Sequence, residues 1–217
     1  MRMLDREQAA AALARGEAVV LPTDTVYGVG VAVGAVDDPT ALFRLKGRPA
    51  GKPVAWLVAG TDELDRYGRA VPAWARGLAE RFWPGGLTLV VPASDAVPPG
   101  FRSAAGTIGL RMPACDAALD LLRAVGAPLA VTSANRSGCP DTGALEHLDT
   151  ALVDRTAGLY RGEAAGAATV AAPGSAFAAH ASAPSSVAST VVDCTGEEPV
   201  ILRQGALELD DLKGCRS

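Results

Sequence analysis

Apolar residues along the chain come in bursts of three to five, separated by alanine-rich stretches carrying scattered charges, and the two kinds alternate. Ala18-Val19-Val20-Leu21, held between Glu17 and Pro22, is too short for a core helix and has no polar alternation, so it predicts a buried strand. A second strand is predicted over 28–33. Val54-Ala55-Trp56-Leu57-Val58, Leu87-Thr88-Leu89-Val90-Val91, Thr107-Ile108-Gly109-Leu110-Arg111 and Leu129-Ala130-Val131 read the same way, as do residues 190–193 and 200–203. Residues 5–15 predict a helix that stops near Gly16. Asp37-Asp38-Pro39 sets a capping acid and a first-turn proline ahead of a helix over 39–45. Further helices are predicted over 61–69, over 72–82 (opened by Pro72 and closed by Trp83-Pro84-Gly85-Gly86), over 116–125 and near 143–153. Interleaved strands and helices of these lengths predict one α/β domain spanning 1–217, built on an open twisted sheet with flanking helices.

One stretch breaks the alternation. Residues 164–192 contain no Asp, Glu, Lys or Arg, and 164–188 are dominated by Ala, Gly, Ser and Pro. With few large apolar side chains to bury, 164–188 predicts a long flexible loop, which reads either as a lid over a site or as a surface insertion.

Composition narrows the class. At 217 residues, with 49% apolar and 20% charged side chains, the chain can bury one good core. A net charge of −4 argues against a large electrostatic footprint for RNA. Cys115, Cys139, Cys194 and Cys215 show no CxxC spacing, and His147 and His180 lie far apart, so no zinc site is predicted. No stretch approaches the roughly 18 continuous apolar residues of a membrane span, and the N-terminus lacks an export core. The expectation is a cytoplasmic protein with reduced thiols.

Charge type then changes the picture. Arginine occurs 17 times and lysine 3 times, yet Lys46 and Lys52 sit six positions apart around Arg48 and Pro49. A compact ammonium beside a forked guanidinium suits phosphate oxygens. Pro49 disfavours helical geometry at Arg48, so Lys46-Gly47-Arg48 is expected to run extended, with Lys46 and Arg48 on one side. Ser133-Ala134-Asn135 has the same spacing after a strand and presents a hydroxyl with an amide, while Pro22-Thr23-Asp24-Thr25 supplies a hydroxyl-rich turn. Taken singly, each has a plainer reading: a solvated basic turn, a common loop, and a turn capped by Asp24. Neither a Walker loop nor a GxGxxG fingerprint is present.

In their order and spacing these segments resemble the YrdC-like threonylcarbamoyl-AMP synthases over about residues 7–205. The resemblance is carried by Leu-Pro-Thr-Asp-Thr-Val-Tyr-Gly-Val-Gly at 21–30, Lys-x-Arg-Pro at 46–49, Phe-Trp-Pro-Gly-Gly-Leu-Thr at 82–88 and Thr-Ile-Gly-Leu-Arg-Met-Pro at 107–113. It continues with Thr-Ser-Ala-Asn-Arg-Ser-Gly at 132–138, Ser-Thr-Val-Val-Asp at 189–193 and Ile-Leu-Arg-Gln-Gly at 201–205. It implies a fold around a deep, positively lined cavity. It also implies an enzyme that joins L-threonine, bicarbonate or CO2, and ATP into L-threonylcarbamoyladenylate with release of pyrophosphate. Downstream proteins would then transfer the threonylcarbamoyl group to tRNA.

By matching position, Lys46, Arg48, Ser133 and Asn135 would form the catalytic, phosphate-holding set. Thr107, Asp141 and Arg203 would add nucleotide contacts, and Thr23, Arg111, Val131 and Ser189 would hold threonine. Mg2+ would arrive with ATP, held mainly by phosphates and water. Without the resemblance, Arg111 and Arg203 read as a strand-end surface arginine and a salt-bridged one. Two departures stand out: Ala188 where the family usually has proline, and a longer preceding segment. The ending soon after Gly205 is expected to mark a short, single-domain form. Rival functions are a carbamoyladenylate-forming carbamoyl transferase of the same fold and a non-enzymatic RNA-binding module.

Overall fold

The structure is a computed structural model that describes residues 1–47, 51, 54–136, 138, 143–162 and 187–208. Its strands are β1 (Met3–Leu4), β2 (Val19–Leu21), β3 (Gly28–Ala32), β4 (Ala55–Leu57), β5 (Leu87–Pro92), β6 (Thr107–Arg111), β7 (Leu129–Ser133), β8 (Gly158–Tyr160), β9 (Thr190–Asp193) and β10 (Val200–Arg203). They join in one sheet of order β1-β8-β2-β3-β7-β4-β6-β5-β9-β10. The sheet is mixed: β4 and β6 run parallel, as do β5 and β9, whereas β3, β7 and β4 are successively antiparallel.

Every strand expected from the apolar bursts is present, within a residue or two at its ends. Two additional strands, β1 and β8, pair in parallel, Met3 opposite Leu159 and Leu4 opposite Tyr160. With two and three residues they are too short to show a period, which is why the pattern misses them.

The helices are α1 (Arg6–Ala14), α2 (Thr40–Lys46), α3 (Glu63–Tyr67), α4 (Ala73–Phe82), α5 (Asp116–Val125) and α6 (Thr150–Val153). Asp5 and Gln8 close a capping box on α1, each side chain meeting the other residue's amide. At α2 the capping acid is Asp38, whose carboxylate accepts from Thr40 N at 2.7 Å, while Pro39 occupies the cap position. The helix expected near 143–153 is broken into a 3₁₀ turn at Leu145–His147 and the short α6. Asp149 causes the break: its side chain accepts from Ala151 N and Leu152 N at 3.0 and 3.2 Å and starts a new helix.

The alternation along the central strands places the site. Ala55 and Leu57 of β4, Thr88 and Val90 of β5, Thr107, Gly109 and Arg111 of β6, and Val191 and Asp193 of β9 line one cleft. The alternate residues Trp56, Leu89, Leu110 and Val192 are fully buried in the core. Because many cleft-side positions are Gly, Ala or Thr, that side of the sheet leaves a hollow.

Cys115 and Cys194 are free and buried. Burial raises both thiols, Cys194 up to about 12. Neither should therefore react with iodoacetamide at pH 8 in the folded protein, as mass spectrometry of the intact chain would show. A folded value above the unfolded one means that the unfolded chain loses these protons first. The contribution of Cys194 to stability is accordingly complete below about 9 and declines as pH rises toward about 12, and that of Cys115 declines in the same direction. Among the described residues no helix is long and apolar enough to cross a membrane.

Candidate active site

The cleft has a volume of about 500 Å³ and opens over β5, β6 and β9, with β7 and the 23–28 turn on its other side. Three groups of side chains organise it.

The first is centred on Lys46. The extended geometry expected there is not found: Lys46 is the last residue of α2, and Gly47 follows in the left-handed conformation at φ 60°. Left-handed glycine at a helix end costs little, so Gly47 terminates α2 cleanly. Lys46 is only 6% exposed. Its Nζ shares three protons among four oxygens: Asn135 Oδ1 at 2.8 Å, Ser133 Oγ at 3.1 Å, Thr132 Oγ1 at 3.4 Å and the Ser133 carbonyl. Ser133 Oγ in turn donates to Asn135 Oδ1 at 2.8 Å. The expected pairing of the Ser133 hydroxyl with the Asn135 amide is therefore present, with Ser133 inside β7 rather than after it. Ser133 and Thr132 line the cleft, and Lys46 reaches it through them. Arg48, Lys52 and Asp141 lie outside the described residues, as does nearly all of the loop expected over 164–188.

The second group surrounds Arg111, which is 6% exposed and lines the cleft. Its Nε donates to the Gly85 carbonyl at 2.9 Å, one terminal nitrogen to Thr25 Oγ1 at 2.8 Å and the other to Asp24 Oδ1 at 2.6 Å. Arg111 is thus no surface arginine. Nor does Asp24 serve as a simple turn cap: it forms a buried ion pair and also accepts from Ala114 N at 3.1 Å. Desolvation lowers the Arg111 pKa, and the Asp24 carboxylate opposes that shift. Three of the five guanidinium N–H groups are committed to protein acceptors among the described residues, and two are not. Thr23 is 3% exposed, and its hydroxyl donates to Val26 O at 2.6 Å while accepting from Thr25 N and Val26 N at 3.2 Å. Its single proton is spent inside the turn.

Val131 lines the cleft between these groups. A Cβ on Gly28 would lie 2.5 Å from Val131 Cγ1, so β3 and β7 approach closely here only because residue 28 is glycine. Gly28→Ala should shift Val131 into the cleft and lower stability by about 1–3 kcal/mol, measurable by urea unfolding.

The third group joins Ser189 and Arg203. Ser189 Oγ bonds Thr88 Oγ1 at 2.8 Å. Arg203 donates to Ser189 O at 2.9 and 3.1 Å and to Ser189 Oγ at 3.1 Å. Its partner is thus a cleft-wall backbone rather than a carboxylate of a salt bridge. Thr107 Oγ1 bonds Ser103 Oγ at 2.7 Å on the cleft wall. Thr88 and the Gly85 carbonyl belong to the site although no sequence signal singled them out, and Thr25, read only as part of a hydroxyl-rich turn, accepts from Arg111. All three lie inside the matched stretches 21–30 and 82–88.

Among the described residues no cluster of three or more His, Cys, Asp or Glu is placed to hold a metal ion. The one carboxylate lining the described cleft is Asp193, which already accepts from Thr195 N at 2.9 Å.

Comparison with known proteins agrees with this fold. The Sua5/YciO/YrdC family model, described as "Telomere recombination", matches residues 11–205. The chain is 35% identical over 207 residues to the threonylcarbamoyl-AMP synthase of Bacillus subtilis, covering 95% of this chain and 55% of that protein. It is 39% identical over 201 residues to the putative threonylcarbamoyl-AMP synthase of Mycobacterium leprae, covering 93% and 83%. Among solved structures, Pyrococcus abyssi Sua5 complexed with L-threonine superposes with a TM-score of 0.84 at 30% identity, covering 99% of this chain and 61% of that one. The chain therefore spans about half the length of some curated relatives and more than four-fifths of others. With 11–205 matched by one family model and the sheet superposing on a member's structure, the chain belongs to the Sua5/YciO/YrdC family.

Proposed function

We propose that this protein condenses L-threonine, bicarbonate or CO2, and ATP into L-threonylcarbamoyladenylate, releasing pyrophosphate. The observation that carries the proposal is one cleft bordered by two separate cationic centres: Lys46, which stands behind the cleft-lining Thr132 and Ser133 and bonds both, and the cleft-lining Arg111, braced by Asp24. The names of the relatives and the L-threonine in the Pyrococcus structure support the same reading.

The chemistry joins two anions. The threonine amine takes up carbon dioxide, or bicarbonate with loss of water, and gives up a proton to form a carbamate. A carbamate oxygen then forms a bond to the α-phosphorus, and the bond to the β-phosphate bridging oxygen breaks, so pyrophosphate leaves. Lys46, Ser133 and Asn135, with Arg48 beside them in sequence, would hold the triphosphate and offset its charge. Thr107, Asp141 and Arg203 would contact the rest of the nucleotide. Arg111 would pair its two remaining N–H groups with the threonine carboxylate, with Ser189 and Val131 shaping the pocket. Thr23 would contribute the form of its turn. Mg2+ accompanying ATP would neutralise charge and would be held mainly by phosphates and water. The adenylate would pass to downstream tRNA threonylcarbamoyl transferase proteins.

Pyrophosphate release should require threonine and bicarbonate together, and serine should substitute poorly because it lacks the methyl group that Val131 can pack against. A coupled pyrophosphate assay with each component omitted in turn checks this. Release that ignores threonine would remove the amino acid from the reaction.

A further inference from the structure

The Gln204-Gly205-Ala206 turn after β10 takes no part in the roles above, yet it is fastened to the cleft wall at every step. Thr190 is fully buried, and its hydroxyl accepts from Gly205 N and Leu207 N at 3.0 Å each while donating to Leu207 O at 2.8 Å. Ala206 N donates to Ala188 O at 2.9 Å. Arg203 grips the carbonyl and hydroxyl of Ser189. On the other side, Thr190 N donates to Gly86 O at 2.9 Å, next to the Gly85 carbonyl that accepts from Arg111.

Gly205 is the point of closest approach. A Cβ there would lie 2.2 Å from Ala188 O and 2.5 Å from both Ser189 C and Ser189 O. All three atoms are backbone, so no side-chain rotation relieves the overlap. Gly205 does not have a positive φ, so its requirement for glycine is one of space rather than backbone conformation. We propose that Gly205 is a positioning residue: by letting the 203–207 segment lie flat on Ala188–Ser189, it fixes the Ser189 hydroxyl and the adjoining wall of the amino-acid pocket. The inference rests on the proposed threonine reading for its functional half, whereas the positional half stands on geometry alone. A methyl at 205 has to lift the turn or push the 188–189 backbone, and either movement loosens the hold of Arg203 and Thr190 on the wall.

The test compares wild type, Gly205→Ala, Thr190→Val and the control Gly196→Ala. Gly196 lies in the turn between β9 and β10, where a Cβ meets only Glu198 O at 3.9 Å. Amide hydrogen exchange over 187–191 and over β5, calorimetric binding of L-threonine with ATP present, and half-saturation by ATP are measured together. Exchange over 187–191 should quicken at least tenfold in Gly205→Ala and Thr190→Val, with β5 unchanged in both. Threonine affinity should fall at least tenfold, ATP half-saturation should rise by a smaller factor because Arg203 shifts with the turn, and Gly196→Ala should match wild type. If exchange over 187–191 stays as in wild type in both variants, or threonine and ATP weaken equally, the positioning role is overturned. If wild type itself fails to bind threonine, the substrate reading falls, and the exchange result alone decides whether the turn secures the wall.

Discussion

Asp24→Ala should destabilise the protein by about 3–5 kcal/mol, because it removes one partner of a buried ion pair and leaves the Arg111 guanidinium uncompensated. Side-chain exposures of 7% for Arg111 and 11% for Asp24 put this pair well outside the surface class, for which about 0–1 kcal/mol would be expected. Asp24→Asn keeps an oxygen for Arg111 and Ala114 N but loses the charge, and should cost about 1–3 kcal/mol. Urea unfolding at neutral pH measures both. A loss below about 1 kcal/mol for Asp24→Ala would mean that water reaches Arg111 and that the site is open to solvent there. Arg111→Lys should not rescue function, since one ammonium cannot meet Gly85 O, Thr25 Oγ1 and Asp24 in their planar arrangement and still offer a paired fork to a ligand.

Lys46→Ala should lower turnover by about 10²–10³, the effect of losing one preorganised charge-stabilising donor. Burial adds a second effect. Removing the ammonium leaves the Ser133 carbonyl and Asn135 Oδ1 without their strongest donor, so stability should also fall by about 1–3 kcal/mol. The two effects separate by assaying at a temperature where the variant is shown to be folded. Turnover within threefold of wild type under those conditions would remove Lys46 from the phosphate-holding set.

The strands that carry the site were legible because each is a short apolar run, and a run of that length has few other buried uses. The helix ends were legible where capping chemistry is local, as at Gly16, which follows α1 in the left-handed conformation at φ 77°, and at Asp38, whose carboxylate caps α2. Three features resisted for physical reasons. Lys46 was expected in extended chain because Pro49 constrains only Arg48, and α2 continues to Lys46 before Gly47 stops it. Asp24 looks like a turn acid from its neighbours, since its partner Arg111 is 87 positions away. The break at Asp149 was hidden because an aspartate in a helical stretch gives no local sign of whether it caps or merely points outward. Residue types at Lys46, Ser133, Asn135 and Arg111 could be read in order, whereas their hydrogen-bond partners required the sheet. β3, β7, β4 and β6 lie side by side, and that order brings Thr23, Thr25, Arg111 and Ser133 to one cleft, with Lys46 bonded to Ser133 behind it.

The most direct test supplies the protein with ATP, L-threonine and ¹³C-bicarbonate and examines the products by mass spectrometry, with a parallel mixture of ATP and carbamoyl phosphate lacking threonine. The proposed reaction yields pyrophosphate together with a threonine-containing adenylate carrying one ¹³C, formed only in the first mixture. Carbamoyladenylate from the second mixture, with no labelled product from the first, would contradict it.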